Sequence, residues 1–373
     1  MAKKSKFRFY DIRETLKAYP NAHYYVIYGE RSNGKTYSSL DYALERFVKH
    51  GEQFAYVRRM GEDVRRKHMT VLFAGHESNG RISELTKGIF NGVEFIGGKF
   101  YLTGYDEDEK PIKMEEPCGF TFDLNSMEHY KSTSFPNVTT IIFDEFLSRV
   151  GYLPNEFILF QNTISTIVRL RTNVKIIMLG NTVNKYCPYF TEMGLTHVRE
   201  QKNGTIDVYH YGSSQLEVVV EYCESSEKRG GKDSNVYFAF DNPQLQMITA
   251  GEWEISIYPH LPAKYRPMDV IANVFFIFDG EILHGEIIDL DSGPFMFIHR
   301  KTTQIKEELE EVVYCDFPSE KYNYKTALTK HTDPLSRKVQ QFIREGKVFY
   351  ADNEVGEILR NYCVWSTQYS ITN

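Results

Sequence analysis

The sequence holds few cysteines and no long hydrophobic run, and both absences narrow the class of protein. Its five cysteines are scattered and form no C-x-x-C pair, which argues against a cysteine zinc site or a disulfide framework and favours reduced thiols in a cytosol. No apolar run approaches the roughly 20 residues that a transmembrane helix needs. The first residues, MAKKSKFRFYDIRETL, are basic but lack the apolar stretch of a signal peptide. We therefore expect a cytoplasmic protein with no membrane partner.

The length of the chain indicates two domains, and its charge is unevenly distributed along the sequence. At 373 residues the chain is too long for one ordinary hydrophobic core, and its 42% apolar residues are enough to build two. Residues 1–70 hold 15 Lys and Arg against 8 Asp and Glu, so they carry +7 and the rest carries −13. Five basic residues lie between positions 58 and 67. Taken alone, this cluster is better interpreted as a solvated helix face than as a phosphate-binding surface.

An eight-residue segment, GERSNGKT at 29–36, matches the phosphate-binding pattern G-x-x-x-x-G-K-[ST]. It follows an apolar run at 24–28 and precedes a helical pattern at 35–49, which is the context that such a loop requires. In such loops Lys35 reaches the β- and γ-phosphates and the Thr36 hydroxyl binds Mg²⁺. The residues predicted to hold the nucleotide here are Gly29, Glu30, Arg31, Ser32, Asn33, Gly34, Lys35, Thr36 and Tyr37.

Apolar runs alternate with helical patterns through the first half and predict a largely parallel sheet covered on both faces. The predicted strands are 23–29, 53–59, 139–146 and 174–181. Residues 100–123 are interpreted as inserted hairpin strands with an acidic turn at 106–110. After residue 182 the strand candidates are 205–211 and 216–223, and the charged, glycine-rich segment 225–235 is predicted to be a hinge or an exposed loop.

The second half of the phosphate site is predicted at Asp144 and Glu145, which follow an apolar strand. Asp144 would complete the Mg²⁺ ligands and Glu145 would polarise a water molecule, which favours an ATPase over a small-molecule kinase. Asn181 ends the next strand and fits either a polar sensor of the γ-phosphate or a turn residue. Arg169 and Arg171 lie between these strands, and without further information they are best interpreted as solvated helix-end residues.

Several ordered motifs resemble the phi-twenty-nine-type phage DNA-packaging ATPase. They are GERSNGKT (29–36), GEQFAYVRR (51–59), FPNVTTIIFDEF (135–146), LPNEF (153–157), VRLR (168–171) and LGNTVNKYCPYF (179–190). The resemblance is strong over about residues 20–190 and weakens after 200. It implies a P-loop ATPase domain of the additional-strand (ASCE) class at 1–204, a linker region at 205–255, and a smaller α/β domain at 256–373 that is a degenerate RNase H-like nuclease.

The resemblance also implies roles for single residues. Lys35, Thr36, Asp144 and Glu145 fall on the family's Walker residues. Arg169 falls on an arginine finger that acts on a neighbouring subunit, although the VRLR motif offers two arginines, and Asn181 falls on the sensor asparagine. Lys131 matches a lysine that either touches DNA or acts in trans. Arg149 and the 58–67 cluster are further candidates for the lining of a DNA channel or for a nucleotide lid.

The implied function is ATP-driven movement of double-stranded viral DNA into a preformed prohead. The implied partners are the portal and other copies of the chain, in a ring that the resemblance suggests is a pentamer, while a structural RNA partner stays open.

Two other functions are considered: a packaging terminase with an active nuclease, and a P-loop nucleotide kinase. A working two-metal nuclease needs converging carboxylates, and Asp279, Asp289 and Asp291 are the only well-placed set; Asp279, before Gly280, is better interpreted as a turn residue. We therefore expect no nuclease activity.

Overall fold

A computed structural model of the chain describes most of its residues and separates them into two compact units. The described residues are 9–126, 133–149, 151–212, 214–224, 253, 256–261, 263–301, 305 and 311–372. The units are Met1–Trp253 and Glu254–Asn373. Among the described residues, every helix is too short or too polar to cross a membrane.

The first unit is built on a large, mainly parallel sheet. Its helices are α1 (Ile12–Ala18), α2 (Lys35–His50), α3 (Arg66–Met69), α4 (Ala74–Ser78), α5 (Arg81–Leu85), α6 (Glu156–Val168) and α7 (Pro188–Glu192). Its strands are β1 (Tyr24–Gly29), β2 (Gln53–Arg58), β3 (Gly92–Ile96), β4 (Lys99–Tyr105), β5 (Pro111–Lys113), β6 (Gly119–Asp123), β7 (Val138–Asp144), β8 (Lys175–Asn181), β9 (Thr205–His210) and β10 (Glu217–Tyr222). Their order is β3-β4-β6-β2-β7-β8-β1-β10-β9, with β5 beside β4.

The six central strands, from β6 through β2, β7, β8 and β1 to β10, all run parallel. Both faces of these strands are covered, as is usual for parallel strands and as the uninterrupted apolar runs predict. On one face, Tyr25 and Ile27 pack with Leu44 of α2. On the other face, Val26 and Tyr28 join the cluster that α6 completes. All five cysteines are free, as the sequence predicts.

The insertion expected over residues 100–123 is present as antiparallel strands at one edge of this sheet. Strand β4 pairs with β3 and with β5, and β6 joins the insertion to the parallel strands. The acidic turn closes on Asp106, whose Oδ1 accepts hydrogen bonds from the backbone N–H groups of Asp108 and Lys110, at 3.0 and 2.9 Å.

The linker predicted at 205–255 is wrong in its first part. Residues 205–222 form β9 and β10, and β10 pairs with β1 along its length. The run Val218–Val220 is fully buried, so it belongs in the interior of a sheet and not in a connection between domains. Trp253 also packs against the first unit, with its ring 5.1 Å from that of Tyr28. The predicted hinge at 225–235 lies outside the described residues.

In its described residues, the second unit contains a smaller mixed sheet and two helices. Its strands are β11 (Val270–Phe278), β12 (Glu281–Leu290), β13 (Gly293–Arg300), β14 (Val312–Cys315), β15 (Tyr324–Thr326) and β16 (Val348–Tyr350), and its helices are α8 (Pro334–Glu345) and α9 (Asn353–Thr372). Strands β11 to β13 form an antiparallel meander, whereas β14 runs parallel to β11 and β15 runs parallel to β14. This is the strand arrangement of an RNase H-like domain, as the resemblance implies.

The three aspartates considered for a nuclease site do not meet. Asp279 lies in the turn before β12 with φ of 51°, and its backbone N–H donates to Asp316 Oδ2 at 2.7 Å. Asp289 and Asp291 lie at the other end of the ten-residue strand β12. At about 3.3 Å per residue the two ends are separated by roughly 30 Å, far more than the ~4 Å spacing of a two-metal centre. This set of carboxylates therefore cannot hold paired metal ions, which agrees with the interpretation of Asp279 as a turn residue.

Candidate nucleotide-binding site

The predicted phosphate loop connects a buried strand to a helix. β1 ends at Gly29, and a Cβ atom there would lie 3.0 Å from the Cβ atom of Cys223. Gly34 precedes the first residue of α2 with φ of 97°, a left-handed conformation that favours glycine. The 16-residue helix α2 therefore begins beside the loop, and the backbone N–H groups at the N-terminus of a helix bind anions.

Lys35 is buried in the centre of this loop. Its Nζ atom lies 2.7 Å from the carbonyl oxygen of Glu30, 3.2 Å from Oδ1 of Asn33 and 3.4 Å from Oδ1 of Asn181. The Nδ2 atom of Asn33 is buried and has no hydrogen-bond partner among the described residues. The loop thus gathers an ammonium group, the N–H groups at the start of a helix and an amide donor, which are the donors that a phosphate group needs.

Asp144 and Thr36 meet at the carboxyl end of β7. The Thr36 hydroxyl lies 3.2 Å from both carboxylate oxygens of Asp144, and the Tyr56 hydroxyl donates to Oδ2 at 2.8 Å. Burial raises the pKa of Asp144, while the Arg58 guanidinium and the Tyr56 hydrogen bond lower it. Hydroxyl and carboxylate oxygens are the ligands that Mg²⁺ prefers, so these two side chains fit the predicted metal site.

Strand β8 lies between β1 and β7, which is the extra strand that defines the additional-strand class of P-loop ATPases. Asn181 at its end is paired in register with Gly29, and its side chain reaches Lys35. The structure therefore brings Asn181 to the phosphate loop, as the sensor interpretation requires and the turn interpretation does not.

Glu145 follows Asp144, and its side chain contacts an arginine. Its backbone has φ of 61°, which is uncommon for a residue with a side chain, and its carboxylate is 56% exposed. Arg58 Nη2 lies 2.6 Å from Glu145 Oε2 and 3.7 Å from Asp63 Oδ2. The predicted catalytic carboxylate is therefore held by an arginine at the end of β2, the strand next to β7.

The interpretation of the 58–67 cluster as a solvated face or a DNA-binding surface is wrong for its first two members. Arg58 binds Glu145, and Arg59 is buried against Glu156, with Nε 2.8 Å from Oε2. Arg59 also donates to the carbonyl oxygens of Glu145 and Phe146, at 3.2 and 2.6 Å. It therefore fixes the chain immediately after β7. Residues 58 and 59 turn inward because they end a central strand rather than lie on a helix.

Substitution of Glu156 by alanine is expected to destabilise the first unit by about 3–5 kcal/mol, because it leaves a buried guanidinium unpaired. Glu156 is fully buried and also accepts a hydrogen bond from Tyr189 at 2.8 Å. Urea unfolding in a Trp365→Phe background, where Trp253 alone reports, measures the change. The control is Glu62→Ala at the exposed Arg65–Glu62 pair, which should cost less than about 1 kcal/mol. Equal costs for the two variants would contradict the buried-pair interpretation.

The two arginines of the VRLR motif have different surroundings. Arg171 donates hydrogen bonds to five backbone carbonyl groups, those of Phe135, Pro136, Val138, Ile167 and Val168. Arg169 is exposed, has φ of 53° at the end of α6, and donates to the Thr133 carbonyl oxygen at 2.9 Å. Arg171 is thus committed to holding the chain together, which leaves Arg169 as the arginine that another molecule can contact.

Arg169 lies near the amino ends of the parallel strands, whereas the phosphate loop lies at their carboxyl ends. Its contact with Thr133 places it near the amino end of β7, whereas Asp144 ends that strand. Seven residues of strand separate the two edges by roughly 20 Å, well beyond the reach of an arginine side chain. Arg169 therefore cannot contact a nucleotide bound in its own chain.

The structure describes all but one of the remaining predicted site residues. Within the loop, Glu30 is buried, while Arg31 and Ser32 are exposed. Tyr37 stacks its ring on His76 with centroids 3.9 Å apart. Arg149 is exposed in the segment after β7, on the edge of the sheet that carries the phosphate loop. Lys131 lies outside the described residues.

Two side chains of the site were not singled out for the roles they take in the structure. Tyr56 binds the Asp144 carboxylate and Arg58 binds Glu145, and both lie near the end of β2. Their positions follow from the pairing of β2 with β7. The sequence does show that an apolar run ends at Arg58. The carboxyl ends of neighbouring parallel strands meet on one side of a sheet, so residues at the end of this run could have been expected near Asp144 and Glu145.

Comparison with known proteins shows that this chain is similar to phage DNA-packaging proteins. A family model described as podovirus DNA encapsidation protein (Gp16) matches residues 4–232. The DNA packaging protein of Bacillus phage B103 is 33% identical over 172 residues, which cover 45% of this chain and 47% of the relative. The DNA packaging protein of Bacillus phage phi29 is 30% identical over 232 residues, which cover 60% of each chain. The match thus spans only about half to three fifths of these relatives.

A solved structure supports the same fold over the whole chain. The bacteriophage Phi-29 viral genome packaging motor assembly contains a chain that is 22% identical, with 98% of both chains covered and a TM-score of 0.51. At this identity the likeness concerns the architecture: a P-loop sheet with an additional strand, followed by a second, smaller domain.

Proposed function

The chain belongs to the podovirus DNA encapsidation protein family, and from that membership we propose that it hydrolyses ATP to drive double-stranded viral DNA into a preformed prohead. The observation that carries the ATPase part is the convergence of Lys35, Thr36, Asp144 and Asn181 at one edge of a sheet with an added strand. The DNA-packaging part rests on the family and on the relatives, which are DNA packaging proteins.

ATP would bind with its phosphates on the loop at 29–36. Lys35 holds the β- and γ-phosphate oxygens, and the helix N–H groups at the start of α2 hold the rest. Mg²⁺, when held by Thr36 and Asp144, would neutralise charge that develops on the transferred phosphoryl group. Tyr56 keeps the Asp144 carboxylate oriented through its 2.8 Å hydrogen bond.

Glu145 would accept a proton from the attacking water molecule. Its carboxylate is exposed and follows Asp144 directly, at the carboxyl end of β7. Arg58 lies 2.6 Å from that carboxylate and would keep it oriented until water and nucleotide are in place. Asn181, whose Oδ1 lies 3.4 Å from Lys35 Nζ, would contact the γ-phosphate.

The second half of the site would come from a neighbouring copy of the chain. Arg169 is exposed and too far from its own phosphate loop to act there, so it would act on the nucleotide of another subunit. An arginine supplied in this way stabilises charge in the transition state for phosphoryl transfer. Copies arranged head to tail in a closed ring would each receive an arginine from the next.

The proposed place of action is the cytoplasm of an infected bacterial host, with the ring attached transiently to the portal of the prohead. The duplex carries one charge per ~1.7 Å of its axis, so the contacts to it should be sequence-independent and made by lysine and arginine. Arg149 is an exposed candidate on the phosphate-loop edge of the sheet.

A packaging assay tests this function directly. The full chain, proheads, DNA and Mg-ATP are incubated, and DNA that resists DNase is measured. We expect protected DNA with the natural chain and none with Lys35→Ala, because that variant lacks the phosphate-binding ammonium group. ATP hydrolysis per subunit should rise with protein concentration. Full hydrolysis by a dilute monomer with no DNA protection would contradict the proposal and would favour a P-loop kinase.

A further inference from the structure

Three side chains with metal-binding groups meet on the sheet of the second unit. His284 and Glu286 are two residues apart on β12, so they project from the same face. His299 on β13 is directly opposite His284 in the antiparallel register. One ligand atom from each side chain lies within 4.8 Å of the others.

Both histidines already have one ring nitrogen engaged by an oxygen atom. His284 Nε2 lies 2.8 Å from Oδ1 of Asn273, and His299 Nδ1 lies 3.0 Å from the carbonyl oxygen of Arg300. In the neutral tautomers that donate to these oxygens, the opposite nitrogens, Nδ1 of His284 and Nε2 of His299, carry lone pairs. Metal-bound histidines show this arrangement, in which an outer oxygen fixes the tautomer and the ring orientation.

Glu286 completes the set and is held in the same manner. The Tyr265 hydroxyl donates to Oε2 of Glu286, and the Tyr265 ring packs against Phe297 with centroids 6.1 Å apart. Oε2 lies 3.7 Å from Nε2 of His299. The carboxylate is therefore positioned by a neighbour, and its Oε1 atom stays available for a metal.

The surroundings keep the three ligands in place. The His284 ring stacks on buried Phe275 with centroids 4.7 Å apart. All three ligands are half-buried, so a bound ion would be shielded in part and still reachable from solvent. One positive charge close to the cluster is the ammonium group of Lys301, which lies 4.7 Å from the centre of the Phe275 ring.

We propose that His284, Glu286 and His299 bind one zinc ion, with water in a fourth position. Two imidazole nitrogens and a carboxylate oxygen are a zinc ligand set, and Zn–N and Zn–O distances of ~2.0–2.2 Å bring tetrahedral ligands to about 3.4 Å from one another. The three ligand atoms, which lie within 4.8 Å of one another, would move closer by about 1 Å to reach that spacing. The nitrogen ligands disfavour Mg²⁺, which binds oxygen. The site would tie β12 to β13 and, through Tyr265, to the segment before β11.

Zinc titration of the full-length chain tests this site. The protein is prepared without a histidine tag, stripped with a chelator, and titrated with Zn²⁺ against a chromophoric competitor. We expect about one tightly bound ion per chain and a higher melting temperature for the second unit. Glu286→Gln and His299→Ala should each weaken binding at least ~10-fold, as loss of a ligand does. His260→Ala, an exposed histidine of the same unit, should bind as the natural chain does.

Two results would overturn the proposal: an unaltered zinc affinity in both ligand variants, or no stoichiometric binding by the natural chain. Circular dichroism shows whether the variants fold. If they do not, the X-ray absorption spectrum of the zinc-loaded natural chain decides. Two imidazole ligands with oxygen support the site, and sulfur or all-oxygen ligation rejects it. The outcome is independent of ATP hydrolysis, so it does not depend on the proposed function.

Discussion

Replacement of Glu145 by glutamine is expected to lower the rate of ATP hydrolysis by about 10²–10⁴-fold, the contribution of a general base. Glutamine keeps the size of the side chain but cannot accept the proton of the attacking water. It also loses the ion pair with Arg58. Nucleotide affinity should change little, because the phosphate loop, Thr36 and Asp144 are untouched. Phosphate release under saturating Mg-ATP measures the rate, and a fluorescent ATP analogue measures the affinity.

The matched control for this variant is Asp63→Asn. Asp63 is a second carboxylate beside the same arginine, 3.7 Å from Arg58 Nη2, but it does not adjoin Asp144. Its removal should leave hydrolysis close to that of the natural chain. If Glu145→Gln retained more than about a tenth of the natural rate, the general-base role would be wrong. An equal loss in Asp63→Asn would point to the charge balance around Arg58 instead.

Replacement of Arg169 by alanine is expected to lower hydrolysis by about 10³-fold or more in the assembled protein, which is the effect of losing an arginine finger. The folded stability should hardly change, because the Arg169 side chain is exposed, including where it donates to the Thr133 carbonyl oxygen. In contrast, Arg171→Ala removes donors from five carbonyl groups and should destabilise the first unit. Phosphate release at a protein concentration that supports assembly, together with thermal unfolding, separates the two effects.

Arg337→Ala serves as the control for Arg169, because Arg337 is an exposed arginine in the second unit. It should leave basal hydrolysis unchanged. Arg169→Lys should recover little activity, since an ammonium group lacks the planar fork of the guanidinium. Natural hydrolysis by Arg169→Ala would show that no neighbour's arginine completes the site.

The sequence predicts the contiguous parts of this molecule well. The phosphate loop and its flanks are adjacent in the chain, so the motif places β1 and α2 within a residue of their observed bounds. Buried parallel strands are long apolar runs, so β7 and β8 are also located correctly. Asp144 and Asn181 then meet the loop because parallel strands bring their carboxyl ends to one edge.

The contacts that depend on strand order could not be predicted. Arg58 and Glu145 are 87 residues apart and Arg59 and Glu156 are 97 apart, and both pairs require β2 to lie beside β7. Without that neighbour relation the arginines look like part of a basic surface cluster. The strands at 205–222 show the same difficulty. Their residues are recognisable as strands, but only the pairing of β10 with β1 places them in the first sheet.

Mixing two inactive variants tests most directly whether ATP is hydrolysed between subunits. Lys35→Ala has a defective phosphate loop and an intact Arg169, whereas Arg169→Ala has the reverse. Each should be inactive alone. In a mixed assembly, the loop of one and the arginine of the other form a complete site, so the account predicts that phosphate release reappears on mixing and peaks near equal amounts. A mixture that stays as inactive as its components, although the two variants co-assemble, would contradict the shared site.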